Sequence, residues 1–326
     1  MKLIRFTRGD SHESRWGIVG GDTVTAITNA ASVEELHRRA RENSLERGES
    51  FPLSGCRPLP PITGRVQVYC AGLNYRDHAR EVRMPLPKSP IFFTKPGTSL
   101  CGAHDDIVYP RDVTLLDYEI ELAVIVGRRI GRDDEPNGEN LGEYLLGISI
   151  FNDVSARDVQ LSAGQWFLGK SYRTFAPLGP FVQVIDDDAR ARLYGLELSL
   201  DVRDGHGDNP FHKGQKGNTG DMVFRVHELI RALLERTDLL PGDVIATGTP
   251  AGVALRSPGK FKTRVAEILG IAPGKRIAMF LDGERRSNRR YLEIGDRLEL
   301  SIRSADGKVD LGKQSCAVVA DDGSGA

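Results

Sequence analysis

The sequence predicts a β-rich α+β fold, and three observations carry that expectation. Short β-branched runs bounded by turn signals dominate the chain from Val66 onward, and helical periodicity is confined to a few stretches. The 36 glycines and 17 prolines among 326 residues imply many turns. In order, residues 1–28 alternate as strands: Lys2-Leu3-Ile4-Arg5-Phe6, then Trp16-Gly17-Ile18-Val19, then a third from Thr23 to Ile27 after the Gly20-Gly21-Asp22 turn. Ser32 is placed to cap a helix reaching about Glu42. A polar stretch ending in Pro58, Pro60 and Pro61 reads as a linker. It divides the chain into a small N-terminal domain at 1–60 and a larger domain at 61–326. In the latter, runs at 66–70, 91–94, 119–126, 145–151, 180–185, 196–203, 243–247 and 296–303 read as strands. Val226, Leu229, Ile230, Leu233 and Leu234 mark an amphipathic helix over 226–236. Asn74 is placed to cap a short helix stopped by Pro85 and Pro87, and the polar, glycine-rich 205–219 reads as a mobile hairpin tip.

Charge and cysteines exclude several classes. Lys and Arg number 44 against 45 Asp and Glu, so the formal net charge is −1 and no basic surplus marks a nucleic-acid or anionic-membrane partner. No apolar stretch approaches the ~18–20 residues needed to span a bilayer. Arg5, Arg8 and Asp10 interrupt the N-terminus too early for a signal-peptide core. Cys56, Cys70, Cys101 and Cys316 have neither zinc-ligand nor redox-motif spacing. The expectation is a soluble, cytoplasmic globule.

One motif is refused. Residues 164–171 (GQWFLGKS) match the phosphate-cradling loop G-x-x-x-x-G-K-[ST] letter for letter. That loop needs a buried strand before it and a helix after it. Here 157–163 is mixed polar, and Pro177 and Pro180 forbid a long helix afterwards.

The acids are more informative. Glu119 and Glu121 share one face of a strand, at the mouth of the apolar run reaching Val126. A second apolar run stops abruptly at Asn152-Asp153. Three converging carboxylates would repel unless a cation joined them, and an all-oxygen set suits Mg²⁺, Mn²⁺ or Ca²⁺. Spacing alone leaves open an edge strand with solvated acids, and does not bring Asp153 to the same point. His78 and Glu81, at i and i+3, share a helical face, as a general base and its orienting carboxylate would; a surface helix of mixed charge fits the same pattern. Gly248-Thr249-Pro250 closes the 243–247 strand with backbone N–H groups and a hydroxyl.

Together and in this order, these pieces resemble the fumarylacetoacetate hydrolase (FAH) family. The matching blocks are Gly72-Leu73-Asn74-Tyr75 with His78 and Glu81, Pro90 to Pro96, Asp117 to Ala123, Asn152 to Asp158, Gln165 to Ser171, Pro177 to Pro180, and Pro241 to Val253, with a resumption at Ile294-Gly295-Asp296. The resemblance implies a mixed β-roll catalytic domain, a small N-terminal β/α domain and a homodimer. It implies Mg²⁺ or Mn²⁺, with Ca²⁺ compatible, held by Glu119, Glu121 and Asp153. His78 would be the base, Glu81 its partner, and Lys170 the cation meeting developing negative charge. Arg157, Gln160 and Thr249 match positions that hold the carboxylate or oxo groups of 2-oxo acids. The implied reaction is hydrolytic C–C cleavage of a 2,4-dioxo acid of acylpyruvate, fumarylpyruvate or fumarylacetoacetate type through a metal-bound enolate. The alternative on the same site is decarboxylation, tautomerisation or hydration of an oxaloacetate-like or sugar-derived 2-oxo acid.

The chain departs from that pattern at about 256–291, an insertion with a helical stretch at 263–269 and a basic cluster at Arg285, Arg286, Arg289 and Arg290. It reads either as a surface excursion or dimer contact, or as an overhang attracting a dianionic substrate.

Overall fold

A computed structural model describes residues 1–9, 13–205, 212–256, 272–287 and 291–323. The β-rich α+β expectation holds. At its centre lies the strand Ile120–Val126, apolar after Glu121 and buried along its whole length. It pairs antiparallel with Leu145–Asn152 on one side and with Val244–Ala246 on the other. Val244–Ala246 runs parallel to Gln67–Gly72, whose other edge pairs antiparallel with Ile91–Pro96. Beyond Leu145–Asn152 come Phe181–Gln183 and then Lys2–Arg8, which continues through Arg15–Gly20, Thr23–Ile27 and Arg47–Pro52. The strands of the first 60 residues thus hydrogen-bond into the same sheet as strands from the rest of the chain.

A second sheet runs His212–Asn218, Leu196–Arg203, Arg297–Ser304, Asp310–Ala320 and Ile107–Tyr109. The two-residue period of a strand assigns the faces. Ile120, Leu122, Val124 and Val126 pack with inward residues of this second sheet, among them Leu198, Leu200, Leu298 and Ile302. Ala123 and Ile125 point the other way, into a core shared with Leu36 and Ala40 of the helix Val33–Arg41. Ser32 caps that helix as expected, its hydroxyl accepting the Glu35 N–H at 3.1 Å. The predicted amphipathic helix is present as Val226–Leu234.

The sequence reading needs correcting at several elements. Tyr75, and not Asn74, begins the helix Arg76–Glu81, without a side-chain cap. Asn74 is fully engaged elsewhere: its amide donates to Thr247 O (2.8 Å) and Phe224 O (3.0 Å) and accepts Phe224 N–H (2.8 Å). Arg47–Pro52, read as linker, is an edge strand, where polar residues are tolerated. The second half of the expected hairpin tip is the edge strand His212–Asn218, while 206–211 lies outside the described residues. The helical stretch expected at 263–269 also lies outside them; the described part of that insertion is the helix Pro273–Arg285, which proline begins at its first turn. The four cysteines are free and buried. No described helix is long and apolar enough to cross a membrane.

Candidate active site

Register brings the acids together. Ile120 pairs with Asn152, so the start of one central strand lies beside the end of its neighbour. Asn152 Oδ1 accepts the Glu119 N–H at 3.1 Å, and the Asp153 N–H donates to Glu119 O at 2.8 Å. The side chains of Glu119, Glu121 and Asp153 are all buried and offer ligand oxygens within 4.8 Å of one another.

Three buried cations surround them. Lys170 Nζ donates to Glu119 Oε2 (2.8 Å) and Asp153 Oδ2 (2.6 Å). Lys95 Nζ donates to Asp153 Oδ1 (2.5 Å) and Val154 O (3.1 Å). Arg157 donates from Nε to Asp117 (2.8 Å), from one terminal nitrogen to Glu119 Oε1 (2.6 Å) and from the other to Gln160 Oε1 (3.0 Å). Asp117 is held by the N–H groups of Ala254 (2.9 Å) and Leu255 (3.0 Å) as well.

The partners of the acids differ, and their protonation differs accordingly. Burial alone would raise the Glu119 carboxyl, but Lys170 and Arg157 overcome it and hold Glu119 well below the usual carboxylate range. Glu121 makes no ion pair among the described residues and accepts only the Gly248 N–H, at 2.7 Å. Burial, then Asp153 and Glu119, push its carboxyl well up. A buried acid beside two carboxylates, satisfied by one N–H, has the chemistry of a ligand that a divalent cation would neutralise. The oxygen-only donor set therefore fits a hard cation.

A cleft of about 190 Å³ opens onto this cluster, lined by Glu119, Glu121, His78, Lys170, Arg157, Gln160 and Thr249. The rest of its lining is largely apolar, including Met84, Phe93, Leu161, Trp166 and Val253. Trp166 packs its ring on Gly72, where a Cβ would come within 2.5 Å of it, and meets Phe93 edge-on at 5.2 Å. Thr249 donates its hydroxyl to Ile120 O at 2.9 Å. His78 Nδ1 lies 3.5 Å from Glu81 Oε2 yet makes no aligned hydrogen bond. Glu81 accepts the Gly252 N–H at 3.0 Å instead.

Nine residues were singled out from sequence, and the structure gathers them around one cleft, with Asp153 and Glu81 just behind its lining. Sequence reasoning assigned no role to Lys95, Asp117 or Gln215. Lys95 had a signal, a lone cation within an apolar strand. Gln215 had none: it sits in the stretch read as a loop, yet is buried, accepting Ile120 N–H (2.8 Å) and donating to Thr249 Oγ1 (2.7 Å) and Pro250 O (2.8 Å).

Residues 67–319 match the family profile described as fumarylacetoacetate (FAA) hydrolase C-terminal. The chain is 33% identical over 288 residues to the mitochondrial oxaloacetate tautomerase Fahd2a of Rattus norvegicus, covering 82% of this chain and 87% of that one. Among solved structures, it resembles 5-carboxymethyl-2-hydroxymuconate delta-isomerase from Mycobacterium smegmatis with a TM-score of 0.70 at 26% identity, over 98% of this chain and 100% of that chain. It also resembles maleylpyruvate hydrolase from Sphingobium sp. SYK-6 with a TM-score of 0.66 at 25% identity, over 98% and 100% of the two chains.

Proposed function

The chain belongs to the fumarylacetoacetate hydrolase family, and on that premise we propose that it is a metal-dependent enzyme that hydrolyses a C–C bond in a 2,4-dioxo acid. The observation that carries the reading is the buried Glu119–Glu121–Asp153 cluster opening into a cleft that also holds His78 and Lys170. Mg²⁺ or Mn²⁺ would be held by those three carboxylates, and when bound would supply Lewis acidity to the substrate's oxygens.

The side chains would divide the remaining work. Arg157 spends three of its five N–H groups on Asp117, Glu119 and Gln160, and with Gln160 and Thr249 is placed to orient the 2-oxo acid end. His78 takes a proton from water at an imidazole nitrogen while the water oxygen adds to the C4 carbonyl. The C3–C4 bond then breaks, its electron pair passing to the departing pyruvate unit as an enolate. Protonation at C3 gives pyruvate beside the carboxylic acid from the acyl half. Lys170, fixed by two carboxylates in a buried setting, faces the developing charge without reorganising.

Loss of the ultraviolet absorbance of acylpyruvates, followed with added Mg²⁺ or Mn²⁺ and then with EDTA, tests this directly. Chelator-sensitive cleavage is expected, and His78→Ala is expected to lower kcat on the order of 10²–10⁴-fold while the metal still binds. An unchanged kcat would leave His78 a structural residue. The likeness to an oxaloacetate tautomerase favours a second reading, keto–enol tautomerisation of an oxaloacetate-like acid. Enol loss from oxaloacetate without cleavage of any dioxo acid would select it.

A further inference from the structure

We infer that Asp117 is a positioning residue of this site, acting through Arg157. Its carboxylate sets the guanidinium, and through it the Gln160 amide, as a pair of donors for the anionic end of the substrate. The inference rests on the reading of the cleft as a 2-oxo acid site and adds to it a residue outside the cleft's lining.

Backbone pairing brings Asp117 and Arg157 together. Leu116–Asp117 is a two-residue strand antiparallel to Ser155–Ala156, with Asp117 opposite Ser155. The next N–H, that of Arg157, donates to Leu115 O at 2.9 Å. Arg157 is thus held at its main chain and at its Nε by one stretch of chain. Asp117 is fully buried, where a carboxylate is tolerated only with donors around it. Its Oδ1 accepts the N–H groups of Tyr118 (2.8 Å) and Ala254 (2.9 Å). Its Oδ2 accepts Arg157 Nε (2.8 Å) and the Leu255 N–H (3.0 Å). Ala254 and Leu255 end the turn that carries Thr249, and the same turn gives its Gly248 N–H to Glu121 and its Gly252 N–H to Glu81. Asp117 is therefore anchored to a backbone that also holds the acid cluster and the His78 helix.

A guanidinium beside a carboxylate tends to close on it with two parallel N–H bonds. Arg157 does not close on Glu119 in this way. It gives Glu119 Oε1 one N–H at 2.6 Å, while Glu119 Oε2 takes Lys170 Nζ at 2.8 Å. The Nε is drawn to Asp117, and the other terminal nitrogen donates to Gln160 Oε1 at 3.0 Å. Each of the three nitrogens has its own acceptor, which fixes the plane of the group. The last of these bonds also settles the Gln160 amide: its oxygen faces Arg157, so the end it can offer a ligand is the –NH₂. Arg157 and Gln160 both line the cleft beside Glu119, and each terminal nitrogen of Arg157 carries a second N–H. Without the Asp117 charge, the guanidinium is free to turn onto Glu119 with two bonds and to release Gln160.

Calorimetric titration of oxalate, at Mg²⁺ saturating for each variant, tests this with Asp117→Asn, Arg157→Gln and the double variant. Asparagine keeps the shape but has one acceptor oxygen in place of two, so it cannot serve both the turn and Arg157 Nε. Alone, Asp117→Asn is expected to weaken oxalate by about tenfold or more, the scale of a hydrogen bond to a charged group. In the Arg157→Gln background it should change oxalate affinity by no more than about twofold, because the residue it acts through is gone. Where Asp117→Asn fails to fold, Asp117→Glu, which keeps the charge and moves it by one methylene, carries the same comparison. Equal losses in the two backgrounds, or no loss in the wild-type background, overturn the positioning role and leave the proposed function standing. Failure of oxalate to bind the Mg²⁺-loaded wild type removes the 2-oxo acid reading and this inference with it.

Discussion

Lys95 shows how a single residue sets the charge of the site. It is fully buried, and burial lowers its ammonium pKa even though Asp153 pulls it upward. Replacing it by methionine keeps most of the volume and leaves Asp153 with Lys170 as its one cationic partner. Without metal, Lys95→Met is expected to lose about 3–5 kcal/mol of stability, the usual effect of breaking a buried pair. Added Mg²⁺ should stabilise this variant more than the wild type, because one competing cation is gone. Denaturant unfolding with and without the ion measures both, and an equal gain in the two proteins would separate Lys95 from the metal site. At this scale the sequence was generous with carboxylates and silent about their partners. Glu119 and Glu121 are legible because a strand's alternation is local. Arg157 pairs with Asp117 across 40 positions and Lys95 with Asp153 across 58, and no local pattern encodes such pairs. Asn74 misled for a related reason: its chemistry suits a cap, but tertiary partners at Thr247 and Phe224 claim all its hydrogen bonds.

Elements with a strong internal period were legible and those held by neighbours were not. The helix Val33–Arg41 and the strands Ile120–Val126 and Leu145–Asn152 follow from cap and apolar pattern. Their pairing register, which delivers Asp153 beside Glu119, does not. The strand His212–Asn218 is the sharper case, since its polar, glycine-rich letters describe a loop while its role is to carry Gln215 under the site. Gln215 fixes the backbone between Glu119 and Glu121 and steadies Thr249. Gln215→Ala is expected to weaken Mn²⁺ binding on the order of tenfold, as loss of a supporting contact does. An unchanged Kd would confine this strand to the fold.

For the whole molecule, the acid cluster ties stability to pH. A carboxyl raised above its unfolded value, as Glu121 is by burial and by Asp153 and Glu119, favours folding while protonated. Its contribution is complete below the ordinary carboxylate range and is lost as the pH rises through the folded value. Glu119, held low by Lys170 and Arg157 against its burial, works in the opposite sense and is lost on acidification. As a ligand of the proposed cation, Glu121 would have to ionise, so binding would release its proton. Thermal unfolding should therefore show a Mg²⁺-induced rise in Tm that grows from acid toward neutral pH, corresponding to about 2.7 kcal/mol of added stability at an ion concentration 100-fold above Kd. A shift independent of pH would show that Glu121 is not among the ligands.

The ring of Trp166, laid on Gly72 and edge-on to Phe93 in the lining of the cleft, gives the molecule an optical gauge of its own. The chain has two tryptophans, and the other, Trp16, stands on the strand Arg15–Gly20 and is not among the residues that line the cleft. With Trp16→Phe, indole emission comes from the cleft alone. A ligand entering the cleft changes the solvent around that one fluorophore, so filling of the site becomes visible in real time without a label or a turnover assay.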